Sequence, residues 1–288
     1  AKGGNFNRPT KTWNTDEGFS AQSTEAERWL VTTVHALHFR RSGGKRDLLW
    51  YHFSAHPVCF ADDQAGPYWP GIVAEMVKKE HNLSPSYLQG HAGDVNPGDG
   101  TPWRGDHQET SQAVYAALSA AIDAAQPVKI DRLQTASRQF HVPLDMALFE
   151  SWLDSYRNDP STCQSGPWVD AGFAKDWFEA NSQRDSSQSH LPCALSAMRL
   201  GEVGFVFHPA ELYSYYGLAI RRDSPLDNTL VVGYTDGIIG YLPDPAAYAA
   251  DEYAAITVPK ILDYPPFTPT AAAEMSRAAV GMLKEIAG

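Results

Sequence analysis

Two short stretches concentrate the side chains that could do chemistry. One is Gln89-Gly90-His91-Ala92-Gly93-Asp94-Val95-Asn96-Pro97-Gly98; the other, upstream of it, is Ser54-Ala55-His56-Pro57-Val58-Cys59-Phe60. Each reads as a strand that ends in a polar turn. Histidine and aspartate at such ends are the types that bind a metal or activate water. The glycines around Asp94 let backbone come close to whatever lies there. A turn that only reversed the chain would not need His91, Asp94 and Asn96 packed among three glycines.

Two further strand ends carry the same kind of residue. The apolar run Val203-Gly204-Phe205-Val206-Phe207 leads into His208-Pro209-Ala210-Glu211 and then a helix through Ile220, and Leu230 to Tyr234 leads into Gly237-Ile238-Ile239-Gly240-Tyr241. Ligands in open α/β sheets collect where strands end. Here that set is His56, His91, Asp94, Asn96, His208, Glu211, Asp236 and Tyr241. Simpler readings stand beside the chemical ones. His56 before a proline caps a strand, and Glu211 at a helix start is a first-turn acid favoured by the dipole. His91 and Asp94 serve their own turn, and Tyr241 packs. His208 is either a satisfied buried histidine or a residue for specificity or proton relay. His35 and His38, three apart on a strand, face opposite sides and make no joint metal site.

The elements that must position these residues follow from periodicity. Val31 to Phe39, the Ser42-Gly43-Gly44 turn and Asp47 to Phe53 predict a β-hairpin whose second strand delivers His56. Gly71 to His81 predicts a helix, Tyr87-Leu88-Gln89 a short strand, and Thr110 to Ala125 a helix with Val114, Leu118 and Ile122 on one face. A last helix from about Thr270 places Met275, Met282, Leu283 and Ile286 together. From Leu144 to about His190 the pattern breaks at Asp159-Pro160 and Gly166-Pro167. This stretch is expected to be an irregular excursion over a site, with Trp152, Tyr156, Trp168 and Trp177 shaping a substrate pocket. The whole predicts one α/β domain over residues 1–288, a mixed sheet with flanking helices.

Composition narrows the function classes. A chain of 288 residues with 43% apolar content can bury a sizeable core. A formal charge of -11 with interspersed signs argues against a nucleic-acid surface, which needs clustered Lys and Arg. Arg40-Arg41 and Lys45-Arg46 flank the glycine turn and read as a solvated hairpin end. No apolar run is long enough to span a membrane. Cys59, Cys163 and Cys193 have no zinc spacing. A Cys163–Cys193 disulfide would suit a secreted or periplasmic setting; two free thiols are the other reading.

The Ala-His-Pro strand end, the Gln-Gly-His-Ala-Gly-Asp-Val-Asn-Pro turn, the His-Pro-Ala-Glu-Leu segment and Gly233-Tyr234-Thr235-Asp236-Gly237-Ile238-Ile239-Gly240-Tyr241-Leu242-Pro243 together resemble the neutral/alkaline non-lysosomal ceramidases and their bacterial relatives. Four motifs in the family's order, over roughly residues 5 to 255, carry the resemblance. It implies a single Zn²⁺ and an activated water that cleaves an amide. By position His56 resembles a histidine ligand, Glu211 the glutamate and Tyr241 the tyrosine. Tyr253 resembles the active-site tyrosine that bonds the developing oxyanion. Arg8, in Asn5-Phe6-Asn7-Arg8-Pro9, resembles a substrate-side arginine.

Two departures shape the expectation. The family carries a serine where this chain has Asn96, and an amide cannot be a nucleophile, so a metal-hydroxide route is expected with Asn96 as hydrogen bonder. The N-terminal segment that holds the family's first metal histidine, and its C-terminal immunoglobulin-like domain, have no counterpart in the sequence. A second chain, or a further part of the same protein, is therefore expected to supply that histidine and cover sheet edges. The expected activity is hydrolysis of an N-acylated, lipid-like or amino-sugar-like substrate. The alternatives are a carbohydrate-active hydrolase or lyase using Tyr, His and Arg on the same scaffold, and a non-catalytic subunit of a heteromer.

Overall fold

A computed structural model of the chain describes residues 3–7, 12–15, 22–59, 65–97, 106–163, 171–185 and 187–288. Arg8 and Trp168 lie outside them. The elements run β1 (Gly3–Asn7), β2 (Thr12–Thr15), α1 (Glu25–Arg28), β3 (His35–Phe39), β4 (Leu48–Phe53), α2 (Tyr68–His81), β5 (Ser84–Gln89), β6 (Val95–Pro97), α3 (His107–Asp123) and β7 (Leu133–Pro143). Then follow α4 (Met146–Asn158), α5 (Ala171–Asn181), β8 (His190–Leu200), β9 (Val203–Phe207), β10 (Ala210–Leu212), α6 (Ser214–Asp223), β11 (Asn228–Val232), β12 (Gly240–Leu242), α7 (Pro245–Ala249), α8 (Tyr253–Ile261) and α9 (Ala271–Ala287).

Two mixed sheets stack face to face. One has the order β3-β4-β5 and the other β11-β9-β8-β7. Strand alternation decides what meets at each face. Leu49, Tyr51 and Phe53 of β4 point to α2 and α3, where they join Trp69, Val73, Val77, Val114 and Leu118 in one core. Trp50 points the other way and meets Phe205 of β9 edge-on, ring centroids 6.2 Å apart. Phe205, Leu230 and Val232, with Leu37 and Leu88, fill the space between the sheets. The outer face of the second sheet packs Leu195, Ala197, Val206 and Val231 against Ile220 of α6 and Met275, Ala279, Met282, Leu283 and Ile286 of α9. The result is four layers, helix–sheet–sheet–helix, which is the α/β class with mixed sheet and flanking helices.

Within each sheet the strands that matter for the site are parallel. β4 pairs with β5, and β9 with β11. Their carboxyl ends therefore open at the same end of the molecule, where the chain supplies the segments after Phe53, Gln89, Phe207 and Val232. Cross-links tie these ends together: Gly233 N donates to Gln89 O at 2.9 Å, and His208 N to Val232 O at 3.0 Å.

The expected hairpin forms with Leu37 opposite Trp50, although β3 starts at His35 rather than Val31. Two expectations change. Glu211 is not at the start of a helix; it is the middle residue of β10, and α6 begins three residues later. The stretch from Leu144 to His190 is more regular than expected. It bridges β7 and β8, which pair over eleven residues from Leu133↔Leu200 to Pro143↔His190, and it contains α4 and α5. Phe149, Trp152, Leu153 and Trp177 of those helices form their own buried cluster. Trp152 and Trp177 thus pack on each other, with the Lys260 ammonium 4.5 Å from the Trp152 ring centroid, rather than lining a substrate pocket. Tyr156 stacks on Phe178. Cys193 is a free thiol on β8 whose pKa burial pushes up to about 11.

Candidate functional site

The site is assembled from three strand ends and one short parallel pair. His56 follows β4, and its backbone N donates to Val95 O at 2.9 Å, fastening it to the glycine-rich turn. Its carbonyl is held by the Trp69 indole N–H at 2.9 Å. β10 and β12 pair in parallel with Glu211 directly opposite Tyr241. That register, which no local sequence signal encodes, brings two distant residues to one spot.

The glycine-rich turn makes the approach close. Gly93 N donates to Leu212 O at 3.0 Å, and a Cβ on Gly93 would sit 2.3 Å from the Glu211 carbonyl oxygen. Only glycine lets the turn lie flat on β10.

At the centre His56, Glu211, Tyr241 and Tyr234 converge. The His56 Nε2 atom stands 3.9 Å from Glu211 Oε1 and 3.5 Å from the Tyr241 hydroxyl. Tyr234 donates to Glu211 Oε1 at 2.7 Å and lies 3.3 Å from His56 Nδ1. Tyr253, exposed at the start of α8, has its ring 6.4 Å from that of Tyr241.

Burial pushes the His56 imidazolium pKa down to about 4, against a bond to the Gly93 carbonyl that favours the charged ring. Burial also raises the Glu211 carboxyl, while hydrogen bonds from Tyr234 and Tyr241 pull it back. Burial and the neighbouring Glu211 carboxylate push both phenols well up, so each keeps its proton. At neutral pH His56 is neutral, so its contact with Glu211 is not an ion pair, and 3.9 Å is too long for a hydrogen bond.

These residues fit a divalent metal. Two ligands that each stand about 2.1 Å from a tetrahedral zinc are separated by about 3.4 Å, close to the spacings of His56 Nε2 from Glu211 and Tyr241. Among the described residues no three His, Cys, Asp or Glu side chains gather for a metal. A zinc here would draw on His56, Glu211 and Tyr241 and on a further ligand from elsewhere.

The other predicted residues make contacts of their own. Asp94 accepts from the backbone N of Ser214 at 2.7 Å and from its hydroxyl at 2.8 Å, so it fastens the turn to the first residue of α6. The His91 ring lies against Gly217 of α6, where a Cβ would stand 2.0 Å from it; its charge is disfavoured by burial first, then by His52, Arg221 and His208. His208 is buried and its Nδ1 accepts from Ala210 N at 3.2 Å. Asn96 sits in β6, opposite Gly4 of β1. Asp236 is exposed with a positive φ of 60°. Tyr234 was part of the motif but carried no predicted role; its position just after the β11 apolar run was the available signal. Its own φ of 55° costs a bulky residue about 1–2 kcal/mol.

No protein-family model matches the chain, and no curated protein matches it by sequence. Solved structures similar in fold include two ceramidases. A neutral ceramidase from Pseudomonas aeruginosa superposes with a TM-score of 0.64 at 14% identity, covering 98% of this chain and 50% of that one. A structure described as a ceramidase complexed with C2 gives the same score and identity, covering 98% of this chain and 51% of that one. The fold is therefore ceramidase-like, and the chain spans about half the length of these neighbours.

Proposed function

We propose that the chain is a single catalytic domain of a metal-dependent hydrolase that cleaves the C–N amide bond of an N-acylated, lipid-like or amino-sugar-like substrate. The observation that supports it is the convergence of His56 Nε2, Glu211 Oε1 and the Tyr241 hydroxyl at the shared carboxyl end of two parallel strand pairs. The ceramidase names of the structural neighbours agree with an amide as the scissile bond.

His56, Glu211 and Tyr241 would hold zinc, the first as a neutral imidazole. When bound, zinc supplies a water whose pKa is lowered to about 7 and a Lewis acid. Tyr253 stands beside Tyr241 with its pKa raised by burial first and by Glu211 second. It therefore retains its proton and donates to the oxyanion that develops on the substrate carbonyl. Asn96 and Arg8 are assigned to the substrate side by resemblance, as a hydrogen bonder and an anchor, while His91, buried against Gly217, supports the turn. Asp94, His208 and Asp236 shape the surroundings. A second chain or further segment, equivalent to part of the neighbours' uncovered half, would complete the metal set.

Metal analysis of the purified native assembly is expected to give about one zinc per chain, in line with a mononuclear site. His56→Ala and Glu211→Ala should each abolish turnover of N-acyl substrates with the unfolding midpoint kept. Full activity in a metal-free preparation, or in either variant, would refute the mechanism.

A second reading draws on the three phenols, Tyr234, Tyr241 and Tyr253, around one histidine and one carboxylate. Such a set also suits acid–base cleavage of a sugar linkage. A panel of N-acyl compounds set against uronic-acid oligosaccharides separates the two: turnover of only the oligosaccharides would favour the sugar chemistry.

A further inference from the structure

We propose that Tyr234 is a positioning residue that fixes the ring tautomer of His56 and the orientation of the Glu211 carboxylate at once. The proposal rests on the reading of His56 and Glu211 as metal ligands, and it concerns the group that makes them ready.

A phenol has one proton to give. The short contact of Tyr234 is the 2.7 Å bond to Glu211 Oε1, so the proton points there. Towards His56 Nδ1, 3.3 Å away, the same oxygen presents only a lone pair. A neutral imidazole can meet a lone pair favourably only with a ring N–H, so Nδ1 carries the hydrogen and Nε2 the lone pair. Nε2 faces the Tyr241 hydroxyl, which also donates to Glu211 and so turns a lone pair to the ring, but at 3.5 Å that contact is longer than the 3.3 Å one at Nδ1, and Glu211 Oε1 at 3.9 Å is beyond hydrogen-bond reach. Metal-binding histidines characteristically give their second ring N–H to an acceptor that sets tautomer and orientation, and losing that partner weakens metal binding about 10–100-fold. Here one hydroxyl serves a histidine and a carboxylate together.

The backbone supports the assignment. Tyr234 occupies a left-handed conformation, φ 55°, that bulky residues rarely adopt. It is pinned on both sides: Gly233 N donates to Gln89 O at 2.9 Å, and Thr235 N to His208 O at 3.0 Å. These anchors belong to β5 and to the segment after β9, the same strand ends that carry the site. A ring placed only for packing would not need its hydroxyl, and phenylalanine would serve equally well.

Two measurements test this. Nitrogen-15 shifts of the His56 ring in the native protein should show the proton on Nδ1; a proton on Nε2 overturns the proposal without any metal or substrate. Zinc titration against a chelating indicator should show Tyr234→Phe binding zinc about 10–100-fold more weakly than the native chain, with the unfolding midpoint unchanged. Equal zinc affinity in the two overturns it. If the native protein carries the proton on Nδ1 but takes up no zinc, the positioning role stands and the metal reading falls. If Tyr234→Phe does not fold, the native ring shifts still decide.

Discussion

Glu211 is the residue on which opposing effects meet. Burial raises its pKa, and hydrogen bonds from Tyr234 and Tyr241 lower it. The two tyrosines that flank the carboxylate on its strand side are not equivalent to Tyr253, which only overlooks it. The proposed roles separate experimentally. Tyr253→Phe should lower kcat by about 10²–10³-fold, as the loss of one oxyanion donor does, with zinc affinity intact. Tyr241→Phe removes a proposed ligand and should weaken zinc binding as well as turnover. Steady-state kinetics on the best N-acyl substrate, run beside zinc titration of each variant, checks both; an unaltered kcat in Tyr253→Phe would remove it from the chemistry.

Elements bring those residues together, and this is where the sequence was partly legible. The strand ends carrying His56, His208 and the glycine-rich turn could be read because apolar runs stop abruptly at polar residues. β7 and β8 could not. On β7 only Val142 is buried, and most other positions from Leu133 to His141 are exposed, so its alternation carries little hydrophobic contrast. The α4–α5 insertion looked irregular for a related reason: its apolar side chains pack mainly on one another. The pairing of Glu211 with Tyr241 was beyond local patterns, since it depends on the register of two three-residue strands. The same holds for Asp94, whose partner Ser214 is 120 residues away. The residue preceding α6, Tyr213, gives that helix no side-chain cap, so Asp94 does the capping from the turn. Asp94→Ala is expected to destabilise the protein by about 1 kcal/mol, within the range for lost caps. Asp94→Asn, which retains the acceptor oxygen, should recover part of that. Urea midpoints of the two variants decide, and equal losses would show that the charge rather than the bond matters.

At the scale of the whole molecule the buried histidines set how the fold answers to acid. His52, in the inter-sheet layer, is held at a pKa of about 3 by burial first, offset by its bond to Val231 O. His208 is held at about 4 by burial alone. His35, beside His52 with ring centroids 5.7 Å apart, is held at about 4 by burial first and Arg221 second, and His91 is also pushed well down. Each of these rings titrates near 6.5 in the unfolded chain. Between about pH 6.5 and pH 4 the unfolded state therefore binds protons that the folded state refuses. Stability is fully present above that window and is lost as pH falls through it, by up to about 1.4 kcal/mol per pH unit for each such histidine. Glu211 acts in the opposite sense, because its raised pKa lets the folded state accept a proton earlier, but it is one group against these four histidines and His56, which burial also holds at about 4. With a net stability of about 5–15 kcal/mol for a typical domain, several histidines shifted together are enough to unfold the chain in mild acid. Thermal unfolding followed by circular dichroism from pH 7.5 to pH 4 should show a melting temperature that holds near neutrality and drops steeply below about pH 6.5. Replacing His208 with glutamine should shallow that slope. A melting temperature that stayed flat to pH 5 would mean that these rings are not held neutral in the folded protein.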